Sequence, residues 1–497
     1  MSTRSIGRFV CDVARWMVIG LVAGLVVGCG GGSSTNSMPG AGKAMFSTGT
    51  ITGFGSVHLN GKKFDTSHAN IMVDGQHGTQ GDLAVGDVVE VKAHHDDNAG
   101  TDVADEVDFR AEVRGPLQSI DTPPPADPST HALVVLGQNV VVSADTSFGH
   151  GISPASVAGL TKGDILEISG YPQANGDILA TRIERKPAGT SFEVTGPVSK
   201  TDSTAKTFQI NALVVDYSTA SLLNFQSGGP TDGGIVEATG ASLGTANQLL
   251  ASKVEALTGH ELQPDMDAEA EYEGPVTRYA SATDFDVAGR KVTTNSSTVF
   301  VGGTAADLAT PNIRVEVEGS VDSTGTLVAS KVQFEHESTV RVRAQVDTVD
   351  TTMSPNTLTL LGVKVTVTGM TRFEDHGTDE MSTFNLSNLQ KGDWVEVRGT
   401  ENPAGSNQLS AHRVERLQTQ SMVELGGPVK TAAQPQFTIL AVPVTTTGAT
   451  TFSDATGMST TASAFFTGLV GQFADAHGTW DGTTLTAQSA TLSNEQD

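Results

Sequence analysis

The feature that most constrains this chain is a unit that recurs along it. Val89-Glu90-Val91, Leu166-Glu167-Ile168, Val236-Glu237-Ala238, Val315-Glu316-Val317, Val395-Glu396-Val397 and a decayed Ala474-Asp475-Ala476 each set an acid between apolar or small residues. The acids recur every 70 to 80 positions, a period that reads as an array of small modules and not as one large core. Other landmarks keep step. Closing segments follow each acid, as in Ala180-Thr181-Arg182-Ile183 and Ala411-His412-Arg413-Val414, and opening segments lead into Gly115-Pro116, Gly196-Pro197, Gly274-Pro275 and Gly427-Pro428. Alternation such as Val363-Lys364-Val365-Thr366-Val367 and frequent turn signals predict antiparallel β structure, five or six short strands per unit. So small a unit closes most easily as a barrel, which removes exposed edges. The expected fold is all-β, six OB-like barrels in tandem, with a small sandwich as the runner-up. Little else than strand is expected, with a short helical turn at each of 153–160, 382–389 and 460–466.

One turn can be argued residue by residue. Four positions before each acid stand Gly86, Gly163, Gly233, Asn312, Gly392 and Gly471. A left-handed backbone position selects glycine, because a Cβ is penalised there, and asparagine tolerates it best. Positive φ is therefore expected at all six. Asp87, Asp164 and Asp393 beside them suit turn hydrogen bonding.

The first segment is an address. Arg4, Arg8 and Arg15 precede an apolar run from Trp16 to Val27, too short for a comfortable membrane span and typical of a signal peptide. The run ends Leu25-Val26-Val27-Gly28-Cys29 before a Gly/Ser-rich stretch, and this resembles a bacterial lipobox. The resemblance implies cleavage before Cys29, a diacylglycerol on its thiol and an acyl chain such as palmitate on the new amine. Several acyl chains at about 0.8 kcal/mol per buried CH₂ make a stable anchor. Gly30 after the cysteine resembles the sorting pattern for the outer membrane. Cleavage also removes Cys11, so no disulfide framework and no thiol catalysis is expected.

The expected organisation is a lipoprotein signal peptide over 1–28, a tether over 29–46, and modules over 47–112, 113–188, 191–258, 268–336, 339–418 and 421–493. The G-P-[VL] starts, the L-x-x-G-D-x-[VL]-E-[VI] cores (Leu83 to Val91, Leu160 to Ile168, Leu389 to Val397) and the A-x-x-[VI]-E ends resemble the bacterial domain of unknown function 5666. The likeness is best in the first, second and fifth copies; the sixth departs at Gln472 and Asp475. The resemblance implies a beaded β lipoprotein and supplies no activity or functional residue.

Chemistry is sparse. With 30 Lys+Arg against 56 Asp+Glu and a net charge of -26, phosphate backbones are repelled, and the mature chain keeps just two tryptophans, Trp394 and Trp480, so no nucleic-acid partner is expected. By alternation the repeated acid faces away from its apolar neighbours, and the expected role is a solvent-facing charge that blocks strand aggregation. Only Glu316 with Glu318 merits a test for Ca²⁺, since a hard-cation cage needs several oxygens. His94-His95-Asp96-Asp97 reads as a solvated loop, and Gly240-Ala241-Ser242-Leu243-Gly244 as a hairpin loop that imitates a nucleophile elbow. No cofactor, metal or catalytic residue is expected. The function expected is that of a non-catalytic lipid-anchored envelope protein: a spacer or binding component with an unidentified protein or carbohydrate partner. The alternatives are a hydrolase whose site lies between modules and a small-ligand receptor.

Overall fold

Alternating apolar residues give each strand one face to bury, and five such strands curl until the faces meet. In the computed structural model, which describes residues 42–121, 131–226, 228–257, 262–352, 354–378, 381, 383–455 and 458–493, all six units close this way. The signal segment, Cys29 and the tether up to residue 41 lie outside the described residues. Strand structure begins at Ala44, so the last residues assigned to the tether belong to the first barrel.

Module 2 shows the plan. Its strands are Val113–Ile120, His131–Val135, Gln138–Phe148, Ile165–Pro172 and Ile178–Lys186. They pair in the order 1-2-3-5-4 and the fourth returns to the first; the third and fifth run parallel and every other pair antiparallel. That is an OB-like barrel. The expected helical turns are there but shorter: 3-10 turns at Val157–Gly159 and Leu386–Asn388, and a single turn of α-helix at Ala462–Phe466.

Two local devices fix the barrel. All six turn positions carry positive φ, from 58° at Asn312 to 96° at Gly163. The turn docks on the opening strand: Gly163 N donates to Leu117 O at 2.9 Å, and Leu117 N donates to Asp164 O at 2.8 Å. Asp87, Asp164 and Asp393 each accept from the backbone N–H three residues earlier, at 2.8 to 2.9 Å. The small residue after each acid sits at a β-bulge. A Cβ on Gly319 would lie 2.2 Å from the Val328 carbonyl oxygen across the shift in register, which only glycine avoids.

The modules are not independent beads. They form three sheets, joining module 2 with 3, module 5 with 6, and module 1 with 4. In every pair the joint is between opening strands: Val113–Ile120 with Phe192–Pro197, Val340–Asp350 with Val423–Ala433, and Ala44–Gly53 with Glu269–Ser281. The first two joints are antiparallel and the third is parallel. Consecutive modules 1–2, 3–4 and 4–5 share no sheet, so chain order does not dictate contact order.

Candidate functional site

The outer face of each barrel carries the repeated acids, and here the expectation of solvent-facing charges is overturned. Glu237 is fully buried, Glu316 and Glu396 are 3% and 4% exposed, and Glu167 and Asp475 are also buried. The alternation was right about the face. What covers that face is another module, with cations placed to meet the acids. Glu237 binds Arg110 at 2.5 Å and Lys253 at 2.6 Å. Glu167 binds Arg114 at 3.0 Å and Lys186 at 2.9 Å. Half-buried Glu90 binds Arg290 of module 4 at 2.6 Å and accepts from Leu262 N.

Arg114 is the hub of one seam. Its guanidinium reaches Asp74 of module 1 at 2.5 Å, Glu167 of module 2 at 3.0 Å and Glu193 of module 3 at 2.7 Å. Burial, together with Asp74 and Glu237, pushes the Glu193 carboxyl well above its ordinary range despite Arg114 and Lys253. The seam between modules 5 and 6 repeats the arrangement. Arg343 lies 2.7 Å from Glu424 and 2.5 Å from Glu396, and Arg341 binds Glu424 and, at 3.0 Å, Asp475. There four arginines (Arg398, Arg343, Arg341 and Arg413) outweigh burial and hold Glu396 well below the usual carboxylate range. The Glu316 and Glu318 pair is occupied by Lys331, 2.5 Å from Glu318 and 3.9 Å from Glu316.

Where the pairs meet, a cleft of about 1130 Å³ opens between side chains of modules 1, 2, 4, 5 and 6. Its polar groups hold one another. Arg314 donates to Glu273 and Glu335, both at 2.8 Å. Glu273 also accepts from Thr50 N at 2.8 Å, and the Thr50 hydroxyl lies 3.1 Å from the Tyr171 hydroxyl of module 2. Arg372 donates to the Asp145 carbonyl at 2.5 Å. Ser338 donates to Asp145 at 2.6 Å and faces His412 Nδ1 at 3.1 Å, while His412 Nε2 faces Thr400 at 3.4 Å. These are the residue types of an acyl-transfer triad in the wrong geometry. The aspartate takes the serine proton's hydrogen bond itself, and the serine is buried. Burial raises Asp145, but His412, Arg372 and Ser338 outweigh it and keep the carboxylate ionised.

The other sequence candidates fall elsewhere. His94 and His95 lie on the fourth strand of module 1, not in a loop, where they face Asp105 at 3.0 Å and Asp102 at 2.7 Å. Ser242 also lies on a strand, Ile235–Leu243, paired with Leu250; the hairpin turn follows it. This is neither the expected loop nor a nucleophile elbow. Among the described residues no group of three or more His, Cys, Asp or Glu is placed to hold a metal ion. Sequence reasoning missed Arg114, Glu193, Arg343 and Glu424. The signal was present, since each is a charge next to apolar residues early in an opening strand, and Arg114 faces Glu193 while Arg343 faces Glu424 in register.

The comparisons with known proteins fit the repeat. The family model described as domain of unknown function (DUF5666) matches residues 48–108, 114–184, 273–333, 344–415 and 426–490. Those stretches fall on modules 1, 2, 4, 5 and 6, whereas module 3 folds alike outside them. No curated protein matches the chain.

Proposed function

The chain belongs to the family of the domain of unknown function 5666, and from that premise we propose that it is a non-catalytic, lipid-anchored protein of the bacterial outer envelope whose barrels present a binding surface to a protein or carbohydrate. The observation that carries the binding reading is the cleft shared by five modules. Its charged groups are spent on one another, which suits a rigid recognition surface better than a reacting centre. The spacer role loses support: modules 1 and 4 share a sheet, so the array folds back and surrenders the reach that repetition would supply. The anchor rests on Cys29 and its flanking sequence. Metabolic labelling with an alkyne analogue of palmitate tests it: wild type is labelled and sediments with outer membranes, whereas Cys29→Ala is unlabelled and soluble. Label retained by the variant, or absent from both, overturns the anchor.

A second reading, a hydrolase, draws on one observation. Burial pushes the Glu335 carboxyl up to about 7, Arg314 opposing and Glu273 assisting, so the cleft holds an acid that titrates near neutrality. Turnover of nitrophenyl glycosides that is lost in Glu335→Gln would favour this reading; no turnover by wild type removes it.

A further inference from the structure

Every barrel has a short segment that runs parallel to its closing strand. Register equates the residue that plugs the barrel there: Ile71 opposite Val107, Phe148 opposite Ile183, Phe300 opposite Val332, Phe373 opposite Val414 and Phe452 opposite Ala490. One edge of the segment pairs with the closing strand, and the other presents a row of backbone donors and acceptors. In four modules a neighbour covers that second edge. Gln76–His77 lies on it as an antiparallel strand in module 1, where Gly78 N donates to Ile71 O at 2.9 Å, and Ser459–Thr460 lies on it in the same way in module 6. Modules 2 and 5 cover each other: Arg372 and Arg413 donate to the carbonyls of Asp145 and Thr146, at 2.5 and 2.6 Å, and Ser147 donates to Glu374.

Module 4 differs. Its segment, Val299–Val301, pairs with Leu327–Glu335, and among the described residues no second strand joins it. Phe300 packs against the core of module 4 and seats the segment on its barrel. Val299 and Val301 are then left facing out, 58% and 42% exposed. Register gives their places to Arg372 and Glu374 in module 5, where the same face is buried against module 2. Edges are commonly blunted by lysine or proline, whereas this one carries β-branched residues, which favour strand pairing. Module 3 also leaves its segment, Ser221–Leu223, with one partner strand. There Leu222, in the place of Phe300, is itself 40% exposed, so that segment is not seated in the same way.

Val301 and Gly302 also border the cleft shared by five modules, so a strand laid on this edge reaches the cleft mouth. We propose that the partner bound there is a protein, which docks by adding an extended apolar segment, antiparallel, to Val299–Val301. The occupant is the one the fold itself uses at the same edge of modules 1 and 6. The inference rests on the binding reading above and narrows its partner from protein or carbohydrate to protein, because an extended polypeptide repeats the donor and acceptor spacing of the edge and a glycan does not.

Fluorescence anisotropy on the full-length chain, with a labelled heptapeptide of alternating valine and threonine between terminal serines, tests the proposal. Wild type binds the peptide saturably. Two further peptides are N-methylated at every second residue, one in each phase. Alternate N–H groups of an added strand face the edge, so one phase binds about tenfold more weakly than the other. Val299→Lys together with Val301→Lys weakens binding about tenfold at unchanged melting temperature, since both side chains are exposed, while Leu223→Lys in module 3 binds as wild type does. No saturable binding by wild type, equal affinity for the two N-methylated peptides, a loss with Leu223→Lys, or no loss with the paired lysines overturns the proposal. The binding reading fails separately, when neither peptide nor glycan arrays yield a ligand for the chain.

Discussion

Modules 2 and 3 are joined differently from modules 1 and 4, and the difference lies in where the hydrophobic cores stop. In the antiparallel pairs the cores fuse: Val113 and Leu166 of module 2 belong to one buried cluster with Val194 and Val236 of module 3, and modules 5 and 6 share another. Arg114 faces Glu193, and Arg343 faces Glu424, across those joints. In the parallel pair the cores stay separate, with Phe46 the module 1 residue packed into the core of module 4. Its ring lies beneath Arg290 at 4.5 Å and against Tyr272 at 6.1 Å. The parallel joint sets Ser47 and Thr48 against Glu271 and Tyr272, with Lys62 supplying the cation for Glu271 at 2.6 Å. The fused cores therefore come with an arginine of the pairing strand facing a glutamate of its partner strand, while the separate cores are pinned by the Phe46 ring under Arg290, which itself reaches back to Glu90 of module 1. The first kind of joint should therefore make two barrels unfold as one unit, and the second should let its two barrels open separately.

The comparison is open to direct attack, most severely at the hub. Arg114→Ala takes the bound cation from Asp74 and Glu193, Glu167 keeping Lys186, and should cost about 3–5 kcal/mol, as loss of one partner of a buried ion pair does. Hydrogen exchange should show modules 2 and 3 loosening together. Phe46→Ala should cost about 3 kcal/mol, yet raise exchange in module 4 while modules 2 and 3 keep their protection. If both variants loosen all the modules equally, the distinction between joints is wrong.

The acid chemistry of the seam sharpens the contrast with a smaller effect. Glu193 sits near 8 in the folded chain against 4.5 ordinarily, chiefly through burial. The folded state thus binds more protons than the unfolded state between those values, so stability falls as pH rises across that window, by at most about 1.4 kcal/mol per pH unit for one group. Thermal melts from pH 5 to pH 9 should slope downward, and Glu193→Gln should flatten the slope. A variant with the wild-type slope would locate the proton elsewhere.

The smallest effect serves as the control common to both joints. Nothing lies within 4 Å of a Cβ built on Gly163 or Gly392, so replacement by Ala costs only the left-handed strain, about 1–2 kcal/mol. Asn312→Gly, at φ 58°, should be neutral within about 0.5 kcal/mol. Denaturant melts of the three variants read this directly, and a cost that depended on the module's partner would show that the turn serves the joint and not the barrel.

Much of this was legible in the residues. Alternation located the strands, and Gly86 and its equivalents announced the turn that closes the first strand on the fourth. These are local facts, set by which φ a residue tolerates and which side of a strand it faces. The repeated acids were misjudged for the complementary reason. Alternation says that Glu237 leaves its own barrel, and says nothing of what waits outside.

The amino-acid sequence by itself determined a repeated all-β plan, its left-handed turns and the side of the strand each acid faces, because strand alternation and turn φ depend on neighbours a few residues apart. Only the tertiary structure decided which barrels pair, and that Glu237 and Glu396 are buried against arginines and lysines. Those outcomes depend on surfaces hundreds of residues apart excluding water from one another, and no period in the chain encodes which surface finds which.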